Sequence, residues 1–262
     1  MRKPDEIASA NKQCWEKLVK EGVGCTRPYL ELDVEAFRAY REGEADALPE
    51  PCSDDPANRI AMAQARGKDV LCLGAGGGQQ SALFGLLGAN VTVLDLCEGQ
   101  LAGDRTAAAH YGYEVTAIQG DMRDLSALPH GSFDIVYGTG TCYIPDVCQV
   151  FAGVGRVLRT AGIYRADFMN SATEFVDRTD WDGVGYRITR PYAQRERCRP
   201  DGAMEFRNYL GEVFTGLLDA GFEISRVCEP FDELPQAHAE PGSYAHWRAF
   251  IGGGFTVIAR KR

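Results

Sequence analysis

A buried-strand pattern that runs directly into a glycine-rich turn is the feature that most limits how this chain can fold. Residues 69–73 are mostly apolar, and the turn that follows carries glycine at positions 74, 76, 77 and 78. This pattern is typical of a parallel strand, a ligand-facing loop and the start of a helix. Glycine suits such a loop because a ligand can lie against the backbone only where no Cβ intervenes. The pattern therefore predicts a small molecule bound at the carboxyl edge of an open α/β sheet.

Two helical patterns open the chain, and strand and helix patterns alternate from the strand before this turn onward. The predicted strands are 69–73, 91–95, 114–119, 133–137, 162–168, 222–228 and 255–259, and the predicted helices are 7–22, 34–41, 79–87, 98–111, 147–158 and 209–220. Such alternation predicts a mainly parallel, doubly wound sheet, and the two closing strands favour an antiparallel edge. We expect an N-terminal helical lid and linker over residues 1–57, then a core over 58–262 with an insertion at about 171–205.

Composition narrows the classes of function. The 262 residues include 28 basic and 37 acidic side chains with no long basic run, which disfavours nucleic acid and anionic membranes as partners. No stretch approaches the ~20 apolar residues of a membrane helix, and no signal peptide is visible. The nine cysteines form no Cys-x-x-Cys pair, which favours free thiols in the cytoplasm over a metal site. We expect a cytoplasmic protein with a small-molecule partner; the sequence leaves its oligomeric state open.

Two carboxylates follow the second and third predicted strands. Asp95 ends the second strand, where a carboxylate can accept both hydroxyls of a ribose. Asp121 follows the third strand, where it can accept the exocyclic amine of adenine while Met122 packs against the ring. The alternatives are a helix cap for Asp95 and a turn residue for Asp121. Together with the glycine turn, the two carboxylates favour an adenosine ligand.

This ordered series of motifs resembles the class I S-adenosylmethionine-dependent methyltransferases, in particular their small-molecule, type-11-like branch. The resemblance covers about Lys68 to Cys228. Within this range, residues 133–137 and 157–162 also match the family's pattern. It implies a Rossmann-like seven-stranded sheet, mostly parallel with an antiparallel strand near the C-terminus. It also implies S-adenosylmethionine as the cofactor and S-adenosylhomocysteine as its product.

The resemblance implies a cofactor site at the strand tips. The residues carried over onto it are Gly74, Ala75, Gly76, Gly78, Asp95, Leu96, Gly120, Asp121, Met122 and Gly138. The glycines of the turn would pass beneath the methionine part, and Gly138 would border the methyl group.

The sequence departs from the family pattern at two positions. Cys72 stands where the family often has an acidic residue that orients the cofactor's amino group. That task would pass to backbone carbonyls, water or the N-terminal segment. A second departure, Thr160 in place of a common proline, we interpret as structural.

The N-terminal segment also resembles that of a subgroup of uncharacterised bacterial members of the family. By analogy with family lids, it would fold over the cofactor and exclude water. Arg27 would then meet the methionine carboxylate, and Trp15 or Tyr29 would face the sulfonium through a cation–π contact. The alternative is helix packing for Trp15 and a surface turn for Arg27.

No catalytic base stands out in the sequence. Methyl transfer is an in-line displacement in which positioning and proton removal dominate the protein's task. The candidates are Tyr143, His238 and His246, and the two histidines fall in an aromatic-rich stretch before the last strand. The arginine-dense insertion either recognises an anionic or aromatic acceptor or forms a charge-balanced surface.

We therefore expect S-adenosylmethionine-dependent methyl transfer to an unidentified small-molecule acceptor. One alternative is an NAD(P)-dependent oxidoreductase, although Gln79 stands where a dinucleotide fingerprint requires glycine or alanine. The other is a non-catalytic protein that binds the adenosyl cofactor.

Overall fold

The computed structural model describes residues 4–52, 56–74, 76–229 and 238–262. Its strands are β1 (Asp69–Leu73), β2 (Asn90–Asp95), β3 (Val115–Gln119), β4 (Phe133–Gly138), β5 (Leu158–Met169), β6 (Glu196–Cys198), β7 (Met204–Phe206), β8 (Phe222–Cys228) and β9 (Gly254–Lys261). Its helices are α1 (Pro4–Glu21), α2 (Val34–Glu42), α3 (Pro56–Met62), α4 (Gln80–Leu86), α5 (Glu98–Tyr111), α6 (Val147–Val157), α7 (Leu210–Asp219) and α8 (Tyr244–Ile251).

Seven strands form one sheet in the order β3-β2-β1-β4-β5-β9-β8, and β6 pairs with β7 in a separate hairpin. The first five strands of this order are parallel, whereas β9 runs antiparallel to both of its neighbours. The predicted fold class is therefore confirmed. The reversed strand does not itself form the edge, because β8 lies outside it. Burial explains this placement: β9 is buried from Phe255 to Ala259, whereas β8 is mostly exposed or half-buried.

Alternating side chains of the central strands enter two apolar layers. In β1, Leu71 and Leu73 pack on the layer that includes α6 and α7. Val70 and Cys72 point the other way, into the layer that includes α3 and α4. Covering both faces in this manner leaves the carboxyl ends of the strands as the edge at which a ligand can bind. None of the helices in the described ranges has both the length and the apolar character needed to cross a bilayer.

Strand β5 and helix α8 are among the elements that differ from the sequence prediction. Strand β5 begins at Leu158, four residues before the predicted start at Gly162. Helix α8 occupies part of the aromatic-rich stretch for which no helix is predicted. Its hydroxyl cap, Ser243, accepts a hydrogen bond from the His246 backbone N–H, and Gly252 ends it at φ 79°. With only eight residues, α8 is too short for a clear helical periodicity.

Helix α5 lies directly on the backbone of the glycine turn. A Cβ placed on Gly103 would lie 2.4 Å from the Gly77 carbonyl oxygen, and one on Gly78 would lie 2.5 Å from the Gly103 carbonyl oxygen. Gly77 and Gly78 also have positive φ angles of 77° and 91°. Because the opposing atoms belong to the backbone, no rotamer change can make room for a side chain. The close packing of α5 on the turn therefore depends on glycine on both sides.

We predict opposite effects for two Gly→Ala substitutions in helices. Gly103→Ala should lower the free energy of unfolding by about 1–3 kcal/mol, because its methyl group would collide with the Gly77 backbone. Gly211→Ala, in the first turn of α7, should be neutral or slightly stabilising, because nothing lies within 4 Å of the added Cβ. Chemical denaturation of the two variants and the parent protein measures both effects. Equal stability of the two variants would contradict the proposed packing of α5.

Candidate functional site: a cavity at the strand tips

A cavity of about 350 Å³ lies at the carboxyl ends of the central strands. Its walls come from the glycine turn, the tips of β2, β3 and β4, and one face of α1. The predicted cofactor residues that line it are Gly74, Gly76, Asp95, Leu96, Gly120, Asp121 and Met122. Ala75 lies outside the described residues. The fold thus brings most of the predicted set to one space.

Two predicted glycines lie behind the cavity wall instead. Gly78 is buried against α5 and against Pro28, whose Cβ would be 2.8 Å from a Cβ at position 78. Gly138 is buried in β4, where an added Cβ would lie 3.2 Å from the ring of Tyr164. The two residues after it, Thr139 and Gly140, line the cavity in its place. Gly78 and Gly138 therefore serve close packing.

Asp95 places a buried carboxylate in the wall. Its side chain is 8% exposed, and one carboxylate oxygen accepts the Cys97 backbone N–H at 2.8 Å. Burial raises the pKa of Asp95 to about 7, and the nearby charges of Asp104 and Glu16 act in the same direction. A hydrogen-bond donor entering the cavity would favour the ionised form of this carboxylate.

Asp104 holds the glycine turn from below. It projects from α5, is fully buried, and accepts the Gly78 backbone N–H at 2.8 Å and the Ser81 hydroxyl at 2.5 Å through the same oxygen. Burial raises the pKa of Asp104 to about 6, although both of these hydrogen bonds oppose the rise. The turn is therefore held by the Asp104 carboxyl group, whose ionised form is destabilised by burial.

Asp121 carries a partner of its own. Its carboxylate accepts the Arg123 guanidinium through Nε at 3.0 Å and Nη2 at 2.6 Å, and one of its oxygens also accepts the Arg123 backbone N–H. Arg123 lines the cavity beside it, and no motif in the sequence marks this residue. This pairing holds the Asp121 carboxylate at the tip of β3.

Helix α1 forms the wall opposite the sheet. Ile7, Ala8, Asn11 and Trp15 line the cavity, and their spacing of about one helical turn is the sequence signal for this shared face. The Asn11 side chain accepts the Met204 backbone N–H at 2.6 Å and donates to the Met204 carbonyl at 3.2 Å. At the other end of α1, Glu16 accepts the Glu98 backbone N–H at 2.9 Å and so caps α5. These bonds join α1 to the core and to the hairpin.

Trp15, Arg27 and Tyr29 occupy different environments. The ring of Trp15 lines the cavity and packs edge-on against Tyr143, with 5.7 Å between the ring centroids. Arg27 is exposed and its Nε donates to the Gly22 carbonyl at 2.5 Å, as in the surface-turn alternative. Tyr29 is also exposed and does not line the cavity.

The three catalytic candidates do not converge. Tyr143 lines the cavity, and its hydroxyl accepts Arg199 Nη1 at 3.1 Å. Burial raises the pKa of Tyr143 well above its usual value, so the phenol stays protonated and is unsuited to act as a base. His246 is buried in α8, with its Nδ1 2.8 Å from the Tyr186 hydroxyl and its ring against Trp181. His238 is exposed, and neither histidine lines the cavity.

Five arginines of the insertion form ion pairs with acidic side chains within the protein: Arg187, Arg190, Arg195, Arg197 and Arg199. Arg197 forms ion pairs with Asp177 and Glu205, both at 2.6 Å. Arg199 bonds Asp201 at 2.7 Å and Glu205 at 3.4 Å. This arrangement agrees with the charge-balanced alternative, but Arg197 and Glu205 are largely buried and do not form a solvated surface.

A second cavity of about 340 Å³ meets the first at Gly140. The short 3-10 helix Thr141–Tyr143 contributes to both walls. Aromatic residues make up much of the second cavity: Phe168, Tyr244, Trp247 and Phe255. Asp167 adds a carboxylate, which accepts a hydrogen bond from the Thr256 hydroxyl at 3.0 Å and pairs with Arg165 at 2.6 Å.

Across the described ranges, no group of three or more His, Cys, Asp or Glu side chains is placed to hold a metal ion.

Known proteins identify the family. The sequence profile of a methyltransferase domain family matches residues 71–166. An uncharacterised methyltransferase of Bacillus subtilis, YbaJ, is 30% identical over 236 residues, which cover 85% of this chain and 90% of that protein. The chain therefore belongs to this methyltransferase family.

Solved structures agree with this assignment. An S-adenosylmethionine-dependent methyltransferase from Mesorhizobium loti is 25% identical, with a TM-score of 0.65 over 79% of this chain and 99% of that one. The 1,6-didemethyltoxoflavin-N1-methyltransferase of Burkholderia thailandensis, solved with S-adenosylhomocysteine, shares the fold at 19% identity and a TM-score of 0.55, over 100% of this chain and 91% of that one. The chain is a class I S-adenosylmethionine-dependent methyltransferase, which confirms the predicted family, enzyme class and cofactor and favours methyl transfer over the two alternatives.

We predict that Asp104 makes stability depend on pH. Its pKa is about 6 in the folded protein and ~3.9 in an unfolded chain. The stability that protonated Asp104 contributes is therefore fully present below about pH 4 and is lost as the pH rises through 6. As the pH rises from 4.5 to 7.5, the parent protein should lose on the order of 2 kcal/mol in free energy of unfolding, and Asp104→Asn should not show this loss. Urea denaturation without ligand measures this difference, and parallel pH profiles of the two proteins would contradict it.

Proposed function

We propose that the first cavity binds the adenosyl cofactor and that the chain transfers its methyl group to a small molecule held in the second cavity. The observation that carries this proposal is the convergence of the glycine turn, Asp95 and Asp121 on one space of about 350 Å³. S-adenosylmethionine supplies a methyl group on a positively charged sulfur, which needs no further activation. The protein's own task is then to bind, orient and shield the reactants.

The cavity walls match the chemistry of an adenosyl group. A ribose presents two hydroxyl donors, and Asp95 offers a buried carboxylate with acceptor capacity to spare. Adenine presents an exocyclic amine and an apolar ring, which correspond to Asp121 and to the side chains of Leu96 and Met122. Gly74 and Gly76 leave the wall open to the backbone, as a closely bound chain requires.

The N-terminal segment completes this enclosure. Trp15 and Asn11 close the side of the cavity that faces away from the sheet, and the hydrogen bonds of Asn11 hold α1 against the hairpin. We propose that residues 1–57 act as the lid of a core that spans 58–262. Exclusion of water would strengthen every polar contact inside the closed cavity.

The second cavity supports a small aromatic acceptor. Its volume of about 340 Å³ falls within the range of small-molecule sites, and its aromatic walls favour stacking on a planar ring. Asp167 can accept a hydrogen bond from a hydroxyl or amino group on such a ring. Thr139, Gly140 and Tyr143 lie on the cofactor side of the junction, where the methyl group would pass. Protonated Tyr143 would act there as a hydrogen-bonding group that orients the acceptor.

We predict that cofactor affinity depends on Asp95 ionisation. Because the free carboxyl has a pKa of about 7 and ribose donors favour its charged form, binding should tighten as the pH rises. Between pH 6 and 8 the dissociation constant of S-adenosylhomocysteine should fall roughly fivefold to tenfold. In Asp95→Asn, binding should be weaker and this pH dependence should disappear. Titration calorimetry at several pH values measures both effects, with NAD as a negative control; tighter binding of NAD would refute the proposed ligand.

We predict that Tyr244 affects the acceptor and leaves the cofactor unaffected. Tyr244 lines the second cavity and is 59% exposed, so Tyr244→Ala should fold normally. A panel of phenols, anilines and aromatic heterocycles, tested with methyl-labelled S-adenosylmethionine, would identify an acceptor. The variant should then raise the KM for that acceptor about tenfold or more, with unchanged affinity for S-adenosylhomocysteine.

Phe250→Ala provides the matched control for Tyr244→Ala. It removes another exposed aromatic side chain from the same helix, and Phe250 lines neither cavity. An unchanged KM in Tyr244→Ala, or an equal rise in both variants, would show that the acceptor binds elsewhere. Cofactor binding without turnover on any aromatic compound would contradict the proposed acceptor class.

A further inference from the structure

An ion pair runs from the interior of the sheet to the wall of the second cavity. Arg165 and Asp167 are two residues apart in β5, so their side chains leave the same face of the strand. Nη1 of Arg165 lies 2.6 Å from Oδ2 of Asp167. The Arg165 side chain is 4% exposed, whereas that of Asp167 is 42% exposed and lines the cavity. One end of the pair is therefore buried, and the other end is open to a ligand.

Arg165 occupies a position at which the packing favours an apolar side chain. Its cross-strand neighbours are Tyr137 of β4 and Ile258 of β9, and both are buried. Ile163, two residues earlier on the same face of β5, belongs to the apolar layer that includes α3. Replacing a buried ion pair with well-packed apolar side chains is often neutral or stabilising. Stability alone therefore does not account for an arginine at this position.

Contacts on the buried side hold the guanidinium group in place. The central carbon of the Arg165 guanidinium lies 4.3 Å from the centroid of the Tyr137 ring. The Tyr137 hydroxyl donates a hydrogen bond to Oδ1 of Asn58, in α3, at 2.9 Å. The ring that supports the guanidinium is thus anchored to a helix. These contacts restrict the position of Arg165 and, through the ion pair, that of the Asp167 carboxylate.

The second oxygen of the Asp167 carboxylate is held from the neighbouring strand. Oδ1 of Asp167 accepts a hydrogen bond from the Thr256 hydroxyl at 3.0 Å. Thr256 is the direct cross-strand partner of Asp167 in β9, and it also lines the second cavity. A carboxylate offers about four lone-pair sites, so this one keeps acceptor capacity for a further donor. The carboxylate is therefore preorganised to bind a donor group of a molecule in the cavity.

We propose that Arg165 is a positioning residue for the methyl acceptor and that it acts by fixing the Asp167 carboxylate, which binds an N–H or O–H group of that acceptor. This inference rests on the proposed acceptor cavity and narrows the class of acceptor that it takes. Arg165 lines neither cavity, so it acts through Asp167. A carbon nucleophile without a donor would gain nothing from this arrangement. The pair therefore favours acceptors that are methylated on a nitrogen or oxygen atom.

The test uses phenols and anilines as acceptors, with methyl-labelled S-adenosylmethionine. Arg165→Met removes the charge at a similar side-chain volume and should lower kcat/KM for the acceptor about tenfold or more. Its affinity for S-adenosylhomocysteine should stay within about twofold of the parent value, because Arg165 does not line the cofactor cavity. Arg165→Lys, which keeps the positive charge, should lose less of kcat/KM than Arg165→Met.

A double variant separates a positioning role from a structural one. Because Arg165 acts through Asp167, the variant that carries both Arg165→Met and Asp167→Asn should lose no more of kcat/KM than Asp167→Asn alone. The double variant removes both charges of the pair, so it should fold even where Arg165→Met does not. Arg159→Met is the matched control, since Arg159 is another ion-paired arginine of β5 and lines neither cavity. This control should match the parent in kcat/KM.

Several outcomes would overturn the proposal. A parental kcat/KM in Arg165→Met would mean that Arg165 does not position the acceptor. Additive losses in the double variant, an equal loss in Arg159→Met, or a matching loss of affinity for S-adenosylhomocysteine would mean that the arginine only supports the sheet. A parent protein that binds S-adenosylhomocysteine but methylates none of the phenols or anilines would instead refute the acceptor cavity on which the inference rests.

Discussion

The contact between α5 and the glycine turn is the constraint on which the rest of the site depends. Gly103 and Gly77 meet backbone to backbone, and no side chain fits between them. Asp104, the next residue of α5, then reaches the Gly78 N–H and fixes the turn. A turn held in this way keeps its positive φ angles and its open face before any ligand arrives. Preorganisation of this kind reduces the ordering that a ligand would otherwise have to drive.

The same helix also organises the opposite wall of the cavity. Glu16 of α1 accepts the first backbone N–H of α5, and Gly99 allows the close approach because an added Cβ would lie 2.9 Å from Glu16 and from Val19. The negative charge of Glu16 thus lies at the positive end of the α5 dipole. One helix therefore positions both the turn and the N-terminal wall, so a displacement of α5 would disturb the two sides of the cavity together.

Most of the sheet could be predicted from the sequence, because its strands carry short-range signals. Helix α5 has the predicted bounds, since Gly112 ends it clearly at a positive φ of 75°. The position of β9 inside the sheet could not be derived, because strand order depends on contacts between residues far apart in the chain. The hairpin of β6 and β7 was not predicted for a related reason: each strand has three residues, which is too few to show alternation.

The cavity residues that directly follow a strand could be predicted from the sequence. The cavity residues contributed by separate helices could not. Asp95 and Asp121 follow strands, so their arrival at a common edge follows from the topology alone. Gln80 and Gln100 belong to different helices, and neither lies in a recognisable pattern. What distinguishes them is a violation of a packing rule, a buried oxygen with no donor, and such a violation exists only once the chain is folded. The costly ionisation of Asp95 has the same origin, since burial in the folded protein is its largest cause. Hydroxyl donors of a bound ribose would favour the ionised form of Asp95, so a group that is costly to ionise in the empty site would favour occupation of that site.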